Sequence, residues 1–235
     1  MTKENLTEII CITDRSGSMN AVWTDTVGGL NDFIKKQREV PGEAKISLVF
    51  FDTEYEMPYN GIDLNSKTFD DRLSFADFVP RGWTALLDAI GKTINDVGQR
   101  LKKTPENERP SKVLVCIVTD GQENSSKEFT SSQIKQMIEH QTEKYQWDFI
   151  YLGANQDAFA VGGNLGIIAV NCANYANQNT RHAFAGLSMR SCSVRKGENI
   201  GSVASYYSSS LADAGLKDDL NPPSVLISSD ADDNQ

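Results

Sequence analysis

An aspartate and two serines alternate with other residues in Asp14-Arg15-Ser16-Gly17-Ser18. A threonine, Thr84, closes the run Arg81-Gly82-Trp83-Thr84, and a second aspartate sits in Thr119-Asp120-Gly121. Together they offer two carboxylates, Asp14 and Asp120, and three hydroxyls, Ser16, Ser18 and Thr84, with no imidazole or thiolate among them. Oxygen-only donors of this kind suit a hard cation. Mg²⁺ takes oxygens in an octahedron at about 2.1 Å and keeps some of its water, so a few hydroxyls, with carboxylates holding waters behind them, satisfy it. Mn²⁺ and Ca²⁺ accept the same donors, and availability in a cytoplasm favours Mg²⁺. Neutral hydroxyls leave such a cation incompletely compensated, so an open position on it attracts an incoming Asp or Glu side chain from a protein partner. Gly17 is expected to turn the chain sharply so that both serines face one point.

Residues this far apart in sequence meet only if the fold brings three loops together. Residues 8–13 read as a strand, and Trp23, Val27, Leu30 and Ile34 follow at helical spacing. Residues 44–51 read as a buried strand and 55–59 as an antiparallel edge strand returning beside it, with Pro58 suited to an edge. Leu86, Ile90, Ile94, Val97 and Leu101 mark a helix that stops before Pro105, with Lys102 and Lys103 at its dipole-favoured end. Residues 113–119 are the most strand-like run and predict a central strand. Thr130 and Gln133 frame a capping box ahead of a further helix. Residues 147–152 predict the next strand, 157–165 a short helix, 167–170 a last strand, and 180–194 a closing helix with Phe184 and Leu187 inward. This alternation predicts an α/β class: a Rossmann-like, doubly wound, mostly parallel sheet with one antiparallel edge strand and helices on both faces. In such sheets, ligands bind beyond the carboxyl ends of the strands, which is where the three oxygen-rich loops fall.

The chain has 235 residues and a formal charge of −9 from 23 Lys and Arg against 32 Asp and Glu. That balance repels phosphate backbones and anionic lipid surfaces, so neither nucleic acid nor a membrane is an expected partner. The first residues are polar and the nearest apolar run is too short for a leader or a span, which predicts a soluble, cytoplasmic protein. Cys11, Cys116, Cys172 and Cys192 have no metal-site or disulfide spacing and read as reduced core thiols. Residues 1–195 read as one domain. Residues 196–235 read as a Ser-rich, acidic tail in which Leu211, Leu216, Val225 and Leu226 offer local docking points. Oligomeric state is not legible.

The loop Asp14-x-Ser16-x-Ser18, Thr84 ahead of a helix, and Asp120-Gly121 after an apolar strand resemble the metal-ion-dependent adhesion site of the von Willebrand factor A domain. All five positions occur in the right order, and the order of strands and helices matches over residues 7–194. The resemblance implies that Ser16, Ser18 and Thr84 bind the metal through hydroxyls while Asp14 and Asp120 act directly or through water. It also implies that Thr84 is the position that moves on and off the metal. The runs 81–90 and 119–126 are similar to intracellular single-domain members from bacteria and their phages, a group without a settled biochemical task and with possible virion association.

Each piece has a plainer reading: Ser16, Ser18 or Thr84 as helix caps, and Asp120-Gly121 as a turn. Arg15 reads as a solvated loop arginine, with steering of an acidic partner as the alternative. Trp83 sits either at a ligand rim or beneath its loop. Asp52, Glu54 and Glu56 lack calcium-loop spacing and read as a solvated face. His140 and His182 fall in helices away from the site, and Gly162 to Gly166 lacks a phosphate-loop pattern. Two further functions compete with a metal-dependent, non-enzymatic binding module. One is Mg²⁺-dependent phosphoryl transfer from Asp14, against which Ser16 stands where a second acid is needed. The other is a structural part in a phage or bacterial assembly.

Overall fold

The computed structural model describes residues 1–67, 69, 78–198 and 201–221. Its elements are β1 (Lys3–Asp14), α1 (Trp23–Glu39), β2 (Glu43–Phe51), β3 (Tyr55–Asp63), α2 (Leu86–Lys103) and β4 (Pro110–Thr119). They are followed by α3 (Ser131–Tyr145), β5 (Trp147–Ala154), α4 (Ala158–Asn164), β6 (Cys172–Tyr175), α5 (Thr180–Lys196) and α6 (Val203–Asp213). The six strands form one sheet in the order β3-β2-β1-β4-β5-β6. All neighbours run parallel except β3, which pairs antiparallel with β2. The expected doubly wound sheet with one antiparallel edge is therefore present.

The central strands are apolar on both sides because both faces are covered. Along β1, Ile9 and Cys11 enter one core with Leu30 and Phe33 of α1, Phe184 and Leu187 of α5, and Tyr207 and Leu211 of α6. Ile10 and Ile12 enter the other with Ile90 and Ile94 of α2 and Ile134 and Ile138 of α3. The chain leaves β1 toward the α1 face to reach β2 and leaves β4 toward the α3 face to reach β5. The connections thus part in opposite directions between β1 and β4, and that crevice is where an open α/β sheet takes its ligand.

Several expectations need correction. The last strand lies at Cys172–Tyr175 rather than 167–170. The amide of Ile167 bonds the Gly162 carbonyl at the end of α4, and Ile168 stays exposed, so this β-prone pair serves as a connection. The Ser-rich stretch expected within a tail forms α6, opened by a reciprocal Ser202–Ser205 capping box. Val203, Ala204, Tyr207 and Leu211 of α6 are buried. Gly186 of α5 permits the close packing, since a Cβ there would lie 2.7 Å from the Tyr207 backbone nitrogen. Leu216 is exposed, and Val225, Leu226 and the acidic run 230–233 lie outside the described residues. At the β6 edge the Asn221 side chain stands in for a seventh strand: its Oδ1 accepts from the Asn174 amide and its Nδ2 donates to the Asn174 carbonyl. The four cysteines are free, three of them buried. Among the described residues, no helix is long and apolar enough to cross a membrane.

Candidate metal centre

Asp14 ends β1 and Asp120 follows β4, so parallel pairing of these neighbours sets the two carboxylates side by side at the crevice. Asp14 is fully buried. Its Oδ1 accepts the Ser16 amide at 2.6 Å and its Oδ2 accepts the Thr119 hydroxyl at 2.6 Å. The Ser18 hydroxyl donates to Asp120 Oδ1 at 2.6 Å and lies 3.1 Å from Ser16 Oγ. Thr84 arrives from the third loop. A Cβ built on Gly121 would stand 2.8 Å from Thr84 Oγ1, 3.5 Å from Ser18 Oγ and 3.6 Å from Asp14 Oδ2, so these oxygens surround one small space. All five expected residues are therefore brought together.

The helix-cap reading of these hydroxyls does not hold. Ser16 precedes a 3₁₀ turn (Gly17–Ala21) without a side-chain capping bond, and α2 is preceded by Ala85 rather than Thr84. Nor does Gly17 supply a left-handed turn. Its role is proximity, its amide donating to the Gly82 carbonyl at 3.2 Å. Gly82 is the residue that needs a positive φ, at 66°, to bring the Thr84 loop against the serine loop.

The loop after β4 locks Thr84 in place, a role that sequence reasoning missed. Asn124 Oδ1 accepts the Thr84 amide at 2.9 Å, while the Asn124 and Ser125 amides donate to the Thr84 carbonyl. Glu123 Oε2 accepts the Leu87 amide, and Asp88 accepts the amides of Lys127, Glu128 and Phe129. The polar density of 122–126 was the only available signal, because the partners lie about forty residues away, in Thr84 and the first turn of α2.

Arg15 and Asp52 are buried against expectation, whereas Glu54 and, in part, Glu56 keep the solvated positions expected of them. Arg15 is buried: its Nε donates to Asp52 at 3.0 Å and its guanidinium nitrogens grip both Glu56 oxygens at 2.8 and 3.0 Å. Arg81 joins the same Asp52 oxygen at 3.0 Å and also reaches Glu54. The acids are thus the anchors of two arginines, and Arg15 holds Glu56 below the usual carboxylate range. Neither arginine makes an ion pair with Asp14 or Asp120. Trp83 is 68 % exposed, which places it on the rim. His182 Nδ1 meets Ser210 Oγ, and His140 packs edge-on against Tyr145.

Two buried carboxylates without a cationic contact are electrostatically costly. Burial pushes Asp14 up to about 6 against the pull of its Thr119 and Ser16 hydrogen bonds, and burial likewise raises Asp120. Asp120 Oδ2 is buried and lacks a hydrogen-bond partner. The donor chemistry, the orphaned oxygen and the cradle beside Gly121 fit a small hard cation. Among the described residues, no group of three or more His, Cys, Asp or Glu side chains is arranged to hold a metal, so any cation here depends on the hydroxyls. Gly121→Ala should test the cradle. A methyl group placed 2.8 Å from Thr84 Oγ1 is expected to weaken Mg²⁺ binding by about tenfold or more and to cost about 1–3 kcal/mol of stability as Thr84 shifts, read by calorimetric titration beside thermal unfolding. Wild-type affinity in this variant would move the cradle elsewhere.

In architecture the chain is a von Willebrand factor A-like Rossmann fold. Proximal thread matrix protein 1 from the mussel byssus superposes with a TM-score of 0.61 at 15% identity, over 80% of this chain and 47% of that one. The von Willebrand factor type A structure from Catenulispora acidiphila gives 0.54 at 15% identity, over 81% of this chain and 43% of that one. The von Willebrand factor domain of a type V pili tip protein from Porphyromonas gingivalis gives 0.57 at 12% identity, over 86% of this chain and 99% of that one. The chain thus spans about half the length of the mussel protein, another structure of which carries zinc in its metal-ion-dependent adhesion site. No family model matches the sequence, and no curated protein matches it significantly.

Proposed function

We propose that this chain is a divalent-cation-dependent protein-interaction module without enzymatic activity, and that Ser16, Ser18 and Thr84 hold the cation with Asp14 and Asp120 behind them. The observation that carries the reading is the convergence of Thr84, Ser18 and Asp14 oxygens on the space beside Gly121, next to the unpartnered Asp120 Oδ2. Bound there, Mg²⁺, or Mn²⁺ or Ca²⁺ in its place, would supply an electrophilic position for a partner's Asp or Glu. The chain's own residues do the rest. Ser18 donates to Asp120 and so turns its lone pairs toward the cradle, while Thr119 and the Ser16 amide orient Asp14. Trp83 on the rim gives an acidic segment an aromatic surface to dock on.

Support also comes from the zinc-occupied adhesion site of the mussel protein, which has the same fold. Phosphoryl transfer from Asp14 is disfavoured, since Asp14 is fully buried and Ser16 stands where a second acid would be needed. As part of the same proposal, the module works in a reducing cytoplasm, in keeping with four free thiols.

The direct test is calorimetric titration with Mg²⁺ and Mn²⁺. Wild-type protein should bind one equivalent, and Thr84→Ala should bind about tenfold to a hundredfold more weakly with its unfolding midpoint unchanged. An absence of heat at millimolar cation in the wild type would end this reading.

A further inference from the structure

At the end of the sheet opposite the candidate metal centre lies a groove of about 1000 Å³. The second half of α2, the length of α3 and the first residues of β4 and β5 line it. Its floor is apolar, built from Leu101, Phe129, Met137 and Trp147, and all four belong to or pack against the core on this face of the sheet. Its rim carries Lys102, Arg109 and Lys144, with His140 and the 62 % exposed Tyr145 beside them.

The charge pattern is what sets this groove apart. The chain has 32 Asp and Glu against 23 Lys and Arg, yet no lining residue is acidic. Lys102 and Lys144 are exposed and have no ion-pair partner among the described residues. Arg109 donates to the carbonyls of Thr104 and Lys102 at 2.8 and 3.1 Å, which fixes its position; its charge also acts on Glu106, which lies outside the groove lining.

We propose that this groove docks an amphipathic helix of a protein partner, with carboxylates flanking the apolar stripe. The walls are chiefly the side-chain faces of two helices, and the strands beneath, β4 and β5, are interior strands with both neighbours in place, so no open strand edge faces the groove. An occupant therefore cannot dock by adding a strand and does best by satisfying its own backbone, which an α-helix does. Met137 adapts to the shape of such a helix and the aromatic residues supply contact area. Carboxylates at the flanks meet the three rim cations. A nucleic acid would gain little from the apolar floor and would face a chain of net charge −9.

The test uses a synthetic helical peptide of about fifteen residues, matching the length of α3, with Leu at i, i+3, i+4 and i+7 and Glu on both flanks, and a twin with Lys at each Glu. By fluorescence anisotropy the Glu peptide should bind at least about tenfold more tightly than its twin, and should weaken as salt rises from about 0.05 M to about 0.5 M. The double variant Lys102→Glu, Lys144→Glu, both at exposed positions in the last turns of α2 and α3, should reverse the preference and stay folded, its unfolding midpoint lowered only by the small helix-dipole cost of the two substitutions. Binding should be the same in EDTA, so this inference stands or falls apart from the metal reading. Equal affinity for the two peptides, no binding of either, or an oligonucleotide that displaces the Glu peptide would each overturn it.

Discussion

Replacing Asp14 by Asn is expected to weaken Mg²⁺ binding by about a hundredfold or more while making the metal-free protein more stable at neutral pH. The substitution removes a carboxylate whose charge the fold tolerates poorly without disturbing its neighbours. Asn Oδ1 can keep the Ser16 amide, and Asn Nδ2 can donate to Thr119 Oγ1, which turns its own proton to the Gly121 carbonyl 3.1 Å away. The gain depends on pH. Asp14 titrates at about 6 in the fold against 3.8 ordinarily, so between those values the folded metal-free protein holds a proton that the unfolded chain has released. Stability therefore falls as pH rises through this window and levels off above about 6, a loss on the order of 3 kcal/mol. Asp14→Asn should flatten that slope in urea titrations. Added Mg²⁺ should restore the wild type above pH 6 and leave the variant unchanged, because only the carboxylate form serves a cation. A variant that keeps wild-type Mg²⁺ affinity, or that loses stability at neutral pH, would remove Asp14 from the role assigned to it.

The second large effect belongs to Arg15. Its side chain is only 3% exposed and ties the serine loop to Asp52, itself fully buried, and to Glu56 across two other strands. Arg15→Ala leaves Asp52 in a dry setting with half its cationic support, and is expected to cost about 3–5 kcal/mol in urea unfolding. Arg81→Ala, which breaks a contact to the same oxygen from a side chain 51% exposed, should cost about 1 kcal/mol or less. A similar cost for both would mean that burial is not what gives Arg15 its weight.

These two residues also show where sequence reading succeeded and where it stopped. Asp14, Ser16, Ser18, Thr84 and Asp120 were legible because each follows or precedes a strongly apolar element, and parallel strand order fixes which loop ends share an edge. Arg15 was misread because a loop residue has no periodicity to reveal its direction, and its acids lie 37 and 41 positions away. The locking of Thr84 by Asn124 and Ser125 was hidden for the same reason. Helix α6 escaped notice since serines dilute its apolar stripe, and its burial comes from a partner helix that only the fold supplies. At residues 167–170, β-branched side chains promised a strand, but the Ile167 amide was already committed to the end of α4.

The Asn221 side chain at β6 has a bearing on how this molecule meets others. By taking up both the amide and the carbonyl of Asn174, it plugs the exit through which a neighbour's backbone would zip onto the sheet. At the far border, Pro58 denies β3 one of its donors. Growth of the sheet from molecule to molecule is thus hindered at one point on each margin.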